Sequence, residues 1–306
     1  MVDFFKAIEK NFGFLLLVSA ILAFIFPQYF LWGESFTDEL LMFALFLGCL
    51  KINFSEIFHL KENFLKMLFF VALNILLLPL IFYFLSFTLD QEIRIGFFLL
   101  LAISGAVVTP LLASFLNLKI LWSTVFVILT SAIIPFSLPF LTHFLFGISL
   151  EISVLEMTLF LAKIVFVPAL LAILFRKFLP KITTSIFLFS GFVGSINMAI
   201  FLGIITAINQ PFLSENLFQV STVPLLLGLF LLFFLRFALG FYIPSSDQKE
   251  KWTNSLMFGN MNNGLVILLA AEFFAPKVLL IVLLSEIPWV LAQPVFQRLV
   301  QSFCKK

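Results

Sequence analysis

The 306-residue chain is short of charge: Asp, Glu, Lys and Arg make up only 11% of it. Soluble domains carry roughly 25%, so a soluble globular fold is excluded. The net charge of +2 is too small to argue for nucleic acid as a partner. With two cysteines, Cys49 and Cys304, no disulfide framework can form. The two histidines, His59 and His143, have no partner at ligand spacing, so no metal centre or other cofactor is expected. No aspartate falls inside an apolar run and no nucleophile–base pair is evident, which argues against an intramembrane enzyme. The short alternating segments of a β-barrel are missing as well.

What the chain has is apolar bulk: 62% hydrophobic residues, among them 46 phenylalanines. Repeated runs of about 20 apolar residues mark an all-α integral membrane protein. Ten spans are predicted, at 12–26, 37–52, 64–87, 93–118, 121–146, 154–179, 184–208, 217–243, 252–274 and 278–300. The short connections leave no room for a soluble domain. Lys6 and Lys10 precede the first run, but no small-residue cleavage site follows near Pro27, so it reads as a retained helix. With both termini cytoplasmic, Lys51, Lys66, Lys119, Arg176, Lys249 and Arg298 fall inside, whereas only Arg94 and Lys277 fall outside. The outer loops hold Glu34, Asp38, Asp90, Glu92 and Glu151. That asymmetry is the positive-inside pattern, and the expected setting is a bacterial inner (plasma) membrane.

Two polar interruptions stand out. Gly259-Asn260-Met261-Asn262-Asn263-Gly264 puts three amides and two glycines inside the ninth span. An unpaired amide in hydrocarbon costs several kcal/mol, so such a stretch must face protein or water. The fourth span is interrupted around Ser104-Gly105 and Thr109-Pro110, where Pro110 cannot donate to a helix. The halves also echo one another. Phe46-Leu47-Gly48 recurs as Phe201-Leu202-Gly203, and Gly105, Ser131 and Pro139 recur as Gly259, Ser285 and Pro294. An odd number of spans per copy turns the second copy upside down. Inverted repeats with paired broken helices are the pattern of secondary transporters. The breaks are expected to leave main-chain groups and carboxamides open to a solute.

These residues resemble the bile acid:sodium symporter family over nearly the whole chain. The likeness is carried by 43–54 with Gly48, by 74–79 with Asn74 and Pro79, by 104–110, and by 259–264. It implies ten helices in two inverted five-helix repeats, 1–153 and 154–306. Spans one, two, six and seven would form a panel and the others a core, with spans four and nine crossing at their breaks. The implied activity is carriage of a small organic anion, a carboxylate or bile-acid-like solute, across the bilayer by alternating access. Sodium is the family's coupling ion. Here Met257 and Met261 stand where the resemblance places a sodium-binding glutamate and a glutamine, and a thioether is a poor ligand for a hard cation. Proton-driven or uncoupled transport is therefore expected ahead of sodium-driven transport.

Asn262 is the leading substrate-binding residue, with Asn260, Asn263, Thr109 and Asn74 beside it and Lys163 as a cation for the solute. Glu286, an intramembrane carboxylate, is assigned to ion or proton coupling, with the hydroxyls of Ser104, Ser123 and Thr130. Arg236 is expected to snorkel to the inner boundary and Glu272 to lie at the outer one. Rival readings are an auxin-efflux-like or arsenite-type carrier, with only Cys49 to offer the latter, or a channel or membrane receptor.

Overall fold

The computed structural model describes residues 12–52, 64–147, 153–245 and 247–303; Lys6, Lys10, His59, Glu151 and Cys304 lie outside the described residues. Among the described residues the regular secondary structure is helical, joined by short turns, with one isolated antiparallel bridge. Helix α1 (Phe12–Ile25) is followed by two 3₁₀ turns and α2 (Thr37–Cys49). Then come α3 (Phe64–Leu85), α4 (Gln91–Ala102), α5 (Thr109–Phe115) and α6 (Ile120–Phe146). The second half holds α7 (Val154–Phe178), α8 (Pro180–Ile208), α9 (Gln210–Asn216) and α10 (Thr222–Tyr242). It closes with α11 (Gln248–Gly259), α12 (Asn263–Phe273), α13 (Pro276–Leu284) and α14 (Glu286–Phe303).

Among the described residues, six helical segments are long and apolar enough to cross a bilayer: α3, α6, α7, 189–208 of α8, α10 and the α13–α14 rod. The protein is thus an integral membrane protein. Helix α2, at 13 residues, reaches only about 20 Å, short of the ~30 Å hydrocarbon core. Helix α1 and α12 are apolar but also short, and the fourth and ninth predicted spans are each split into two short helices. Phenylalanine and leucine coat the outside, as at Leu65, Phe69, Phe84, Phe140, Phe144 and Phe234. In water such a surface would aggregate, whereas lipid tails solvate it.

Two interruptions follow directly from local chemistry. Pro79 lacks an N–H and its ring would strike the carbonyl of Ile75 four residues back. Helix α3 widens there into a π turn over Leu73–Leu77, in which the Leu78 N–H reaches Leu73 O. The turn places Asn74 on the buried side. At the end of α5, Asn117 takes a left-handed conformation (φ 53°). Asn117 N then donates to Ser114 O and Leu118 N to Ala113 O, closing the carboxyl end in a Schellman motif.

Helix α8 packs on α1 and α2, and α2 packs on α7. Elsewhere α4 packs on α13, α10 on α11 and α14, and α6 on α3, α5 and α11. Close approach is made by glycine. A Cβ on Gly240 would collide with the backbone of Asn254 and Ser255, so α10 and α11 touch main chain to main chain. Gly48 seats against Val107, and Gly264 against Leu41 and Met198.

One polar cluster ties three helices at a common end. Glu250 pairs with Lys66 of α3 and with Lys119, whose Nζ lies 2.7 Å from Glu250 Oε2 and 2.9 Å from Asp247 Oδ2. The hydrogen bond from Lys119 holds the Asp247 carboxyl below the usual carboxylate range. Burial pushes the Glu250 carboxyl up, but the bonds from Lys119 and Lys66 outweigh it and bring the group below its usual value. Both acids are thus depressed in the folded state. Their stabilisation is complete above the unfolded values, near pH 4–4.5, and is lost as pH falls through the folded ones. The contribution of this cluster to thermal stability in detergent, read as the difference in Tm between wild type and Glu250→Gln, should therefore be flat from pH 7 to about 5 and fall below that. In Glu250→Gln the acid-side fall should be shallower, and an unchanged slope would refute the assignment.

Candidate functional site

Helix α4 stops at Ala102 and α5 begins at Thr109; α11 stops at Gly259 and α12 begins at Asn263. The break of the first pair is therefore 103–108, with Pro110 in the first turn of α5, where a missing N–H costs nothing. Gly259 is the last residue of α11, and the second break is 260–262.

The two breaks meet. Gly105 and Met261 form the antiparallel bridge. Ala106 N donates to Asn260 O at 3.1 Å and Asn262 N to Ser104 O at 3.0 Å. Other main-chain groups freed by the interruption are also taken. Gly105 N donates to Thr130 Oγ1 (3.2 Å), and Asn74 Nδ2 to Ile103 O (3.2 Å). Asn262 caps α12, its Oδ1 accepting from Leu265 N at 3.3 Å. The expectation of open main chain is corrected in part. Two extended segments laid across one another exchange hydrogen bonds as strands do, and unpartnered polar side chains lie beside them.

Those side chains are gathered at the crossing. Ser104 Oγ, Thr109 Oγ1 and Asn260 Nδ2 are buried and complete no hydrogen bond among the described residues, and the buried amide of Asn263 and Glu286 Oε2 find no well-formed partner beyond each other's neighbourhood. Their residues are between 0% and 6% exposed. Buried polar atoms are paired in the great majority of cases, so this concentration is unusual. Asn263 stands beside Glu286. Glu286 opens α14 just after the helix is interrupted at Ser285, and Pro288, two residues on, cannot supply the next helical N–H. Asn260 Oδ1 accepts from Trp289 Nε1 (3.2 Å) and Gln293 Nε2 (2.6 Å), so α14 orients this amide.

Sequence reading placed Arg236 at the membrane boundary, but the structure puts it in the core, 2% exposed. Its Nε donates to Phe258 O at 2.7 Å, Nη1 to Leu101 O at 3.1 Å and Nη2 to Asn74 Oδ1 at 2.7 Å. Leu101 and Phe258 lie in the last turns of α4 and α11. The guanidinium therefore binds both carboxyl ends at the crossing. The signal was in the sequence: Leu229, Leu232, Phe233, Arg236 and Gly240 form one buried helical stripe.

The remaining assignments separate. Thr130 is at the crossing, but its hydroxyl is occupied, since it also donates to Phe126 O at 2.8 Å. Ser123 bonds Ile120 O of its own helix, next to Trp122, whose Nε1 donates to Asn254 Oδ1, so it lies with the first half of α11. Lys163 is 51% exposed along its side chain and pairs with Asp38 Oδ2 at 2.8 Å, away from the crossing. Met257 and Met261 are packed into the apolar core. No protein-family model matches the chain, and a search of curated proteins finds no significant match.

Thr130→Val keeps the shape but leaves Gly105 N–H buried without an acceptor. The loss should be about 1–3 kcal/mol, read as a lowered Tm in detergent, while Thr130→Ser should stay near wild type. Equal losses in the two variants would show that the hydroxyl is not what holds the first break.

Proposed function

We propose that the chain is a secondary transporter that moves a small organic anion by alternating access, with Glu286 carrying a proton rather than sodium providing the drive. The observation that carries this reading is the hydrogen-bonded crossing of two interrupted helices with unpartnered polar side chains packed around it. Polar atoms held dry without partners raise the energy of the resting protein by roughly 1–3 kcal/mol each. A solute offering complementary groups recovers that energy on binding.

The chemistry favours an anion. The Nδ2 groups of Asn260 and Asn263 and the hydroxyls of Ser104 and Thr109 can all donate to a carboxylate. Asn263 also opens α12, whose amino end carries partial positive charge. Glu286, the carboxylate beside Asn263, would repel an anion when ionised and hydrogen-bond to it when protonated. Binding of solute and of a proton are then linked, as a symporter requires.

The crossing is buried, so access requires the covering helices to move. Helices α1, α2, α7 and α8 pack on one another, and Gly48 of α2 and Met198 of α8 lie against the break residue Val107 and the α12 residue Gly264. We read these four as the panel, the remaining helices as the core, and the boundary between them as the surface along which access alternates. The ten-span inverted repeat and the likeness to bile acid:sodium symporters belong to the same proposal.

Purified protein in proteoliposomes tests it. A panel of carboxylates should include at least one that accumulates under an inward proton gradient, with no change when choline replaces sodium. Glu286→Gln should abolish gradient-driven accumulation while leaving exchange of solute for solute. Asn263→Leu should lower the rate at least tenfold. Failure of every anion to enter would sink the carrier reading, and accumulation by Glu286→Gln would remove the proton role.

A further inference from the structure

We infer that Arg236 is a fixed counter-ion of the crossing: its guanidinium fills, on a covalent tether, a site built to hold a small cation, and so frees the protein from any bound inorganic cation there. Three oxygens converge on it from three helices: Leu101 O of α4, Phe258 O of α11 and Asn74 Oδ1 of α3. Every one is a neutral oxygen, the ligand type that hard monovalent cations take. The charge balance comes from the helices. Each carboxyl end carries about half a negative charge, and two ends meeting at one point sum to about one. A single guanidinium neutralises that sum.

The geometry is set for a cation and not for Arg236 alone. Asn74 is aimed by the π turn that Pro79 forces, and its Nδ2 is held by Ile103 O, which leaves Oδ1 turned toward the shared centre. The carbonyls are those that no following helical turn can use, because both helices stop there. Two abutting carboxyl ends would repel one another without a positive charge between them. Arg236 supplies it from the buried stripe of α10, where Gly240 allows the backbones of α10 and α11 to touch. Arginine suits the role because it never loses its charge in a protein and fans its donors in a plane. In the carrier proposed above, on which this consequence rests, the positive charge at the crossing travels with the protein and is not released, so no sodium gradient can be harvested at this point.

The test reads cation binding directly and does not need transport. Full-length protein in detergent is unfolded by heat in sodium, lithium, guanidinium or choline chloride at equal ionic strength. Wild type should show the same Tm in sodium as in choline. Arg236→Ala should lose on the order of 10 °C and recover at least half of it in guanidinium or sodium but not in choline, which is too large for the hole. Adding Asn74→Leu should abolish that rescue. If Arg236→Ala does not fold, Arg236→Lys and Arg236→Gln decide the matter: lysine keeps the charge, glutamine keeps hydrogen-bond donors without it. The inference requires Lys to be the more stable of the two and Gln to gain from sodium over choline. A glutamine variant as stable as the lysine one, or an alanine variant indifferent to the cation, overturns it. So does a wild type whose Tm rises specifically with sodium. Because no arm measures uptake, a protein that failed to carry any anion would leave this result standing, and the reverse holds too.

Discussion

A backbone interrupted inside hydrocarbon must find partners for its amides and carbonyls, and everything around the crossing answers to that demand. The chain meets it by interrupting two helices and laying the gaps against one another. Ser104 O takes Asn262 N, and Asn260 O takes Ala106 N. Neither break would be tolerable alone. The pairing fixes the depth and angle of α4, α5, α11 and α12 together, and the surrounding helices pack to that frame. Thr130 from α6 and Asn74 from α3 supply two further hydrogen bonds.

Sealing the main chain has a consequence for the side chains. Once the two extended segments are spent on each other, the amides and hydroxyls they carry project into a buried space already short of donors and acceptors. Asn262 is absorbed as a helix cap and Thr130 as an acceptor, whereas Asn263, Ser104, Thr109 and one oxygen of Glu286 are left over. The division is between side chains that complete the crossing and side chains that do not, and Asn262, first choice from the sequence, gives its Oδ1 to the former use.

Much of this was legible in the residues. Amides and glycines at 259–264 are costly on a lipid-facing helix and Pro110 interrupts helical hydrogen bonding, and the two breaks were read from those residues together with the repeat that relates them. Their near-constant offset implied that they belong together. Three things were not legible. Span length misled at α2, where the apolar run of 37–52 contains a helix of only 13 residues. Sequence spacing could not say that Ser104 O and Asn260 O would be met by the opposite break, because that depends on a contact between residues about 155 apart. Lys163 looked like a cation for the solute from its depth in an apolar run. Its stem instead reaches Asp38, as a long flexible side chain can.

Arg236 shows where the reading by depth failed and reading by face would have succeeded. Distance from the helix end suggested snorkelling, yet the residue shares a stripe with Leu229, Leu232, Phe233 and Gly240, all buried. A charge on the packed face of a membrane helix cannot reach water, so it must find oppositely polarised groups inside. Removing a guanidinium from water costs several kcal/mol. Three charge-assisted hydrogen bonds and the negative ends of two helices offset that cost. The partners are not carboxylates but helix ends, and those ends exist only because the helices are broken. The interruptions therefore create the negative potential that makes a buried arginine stable, and the arginine in turn holds the interrupted ends together. Each feature stabilises the other, which is why a charge this deep in the apolar sequence and a gap this deep in two helices occur at the same place.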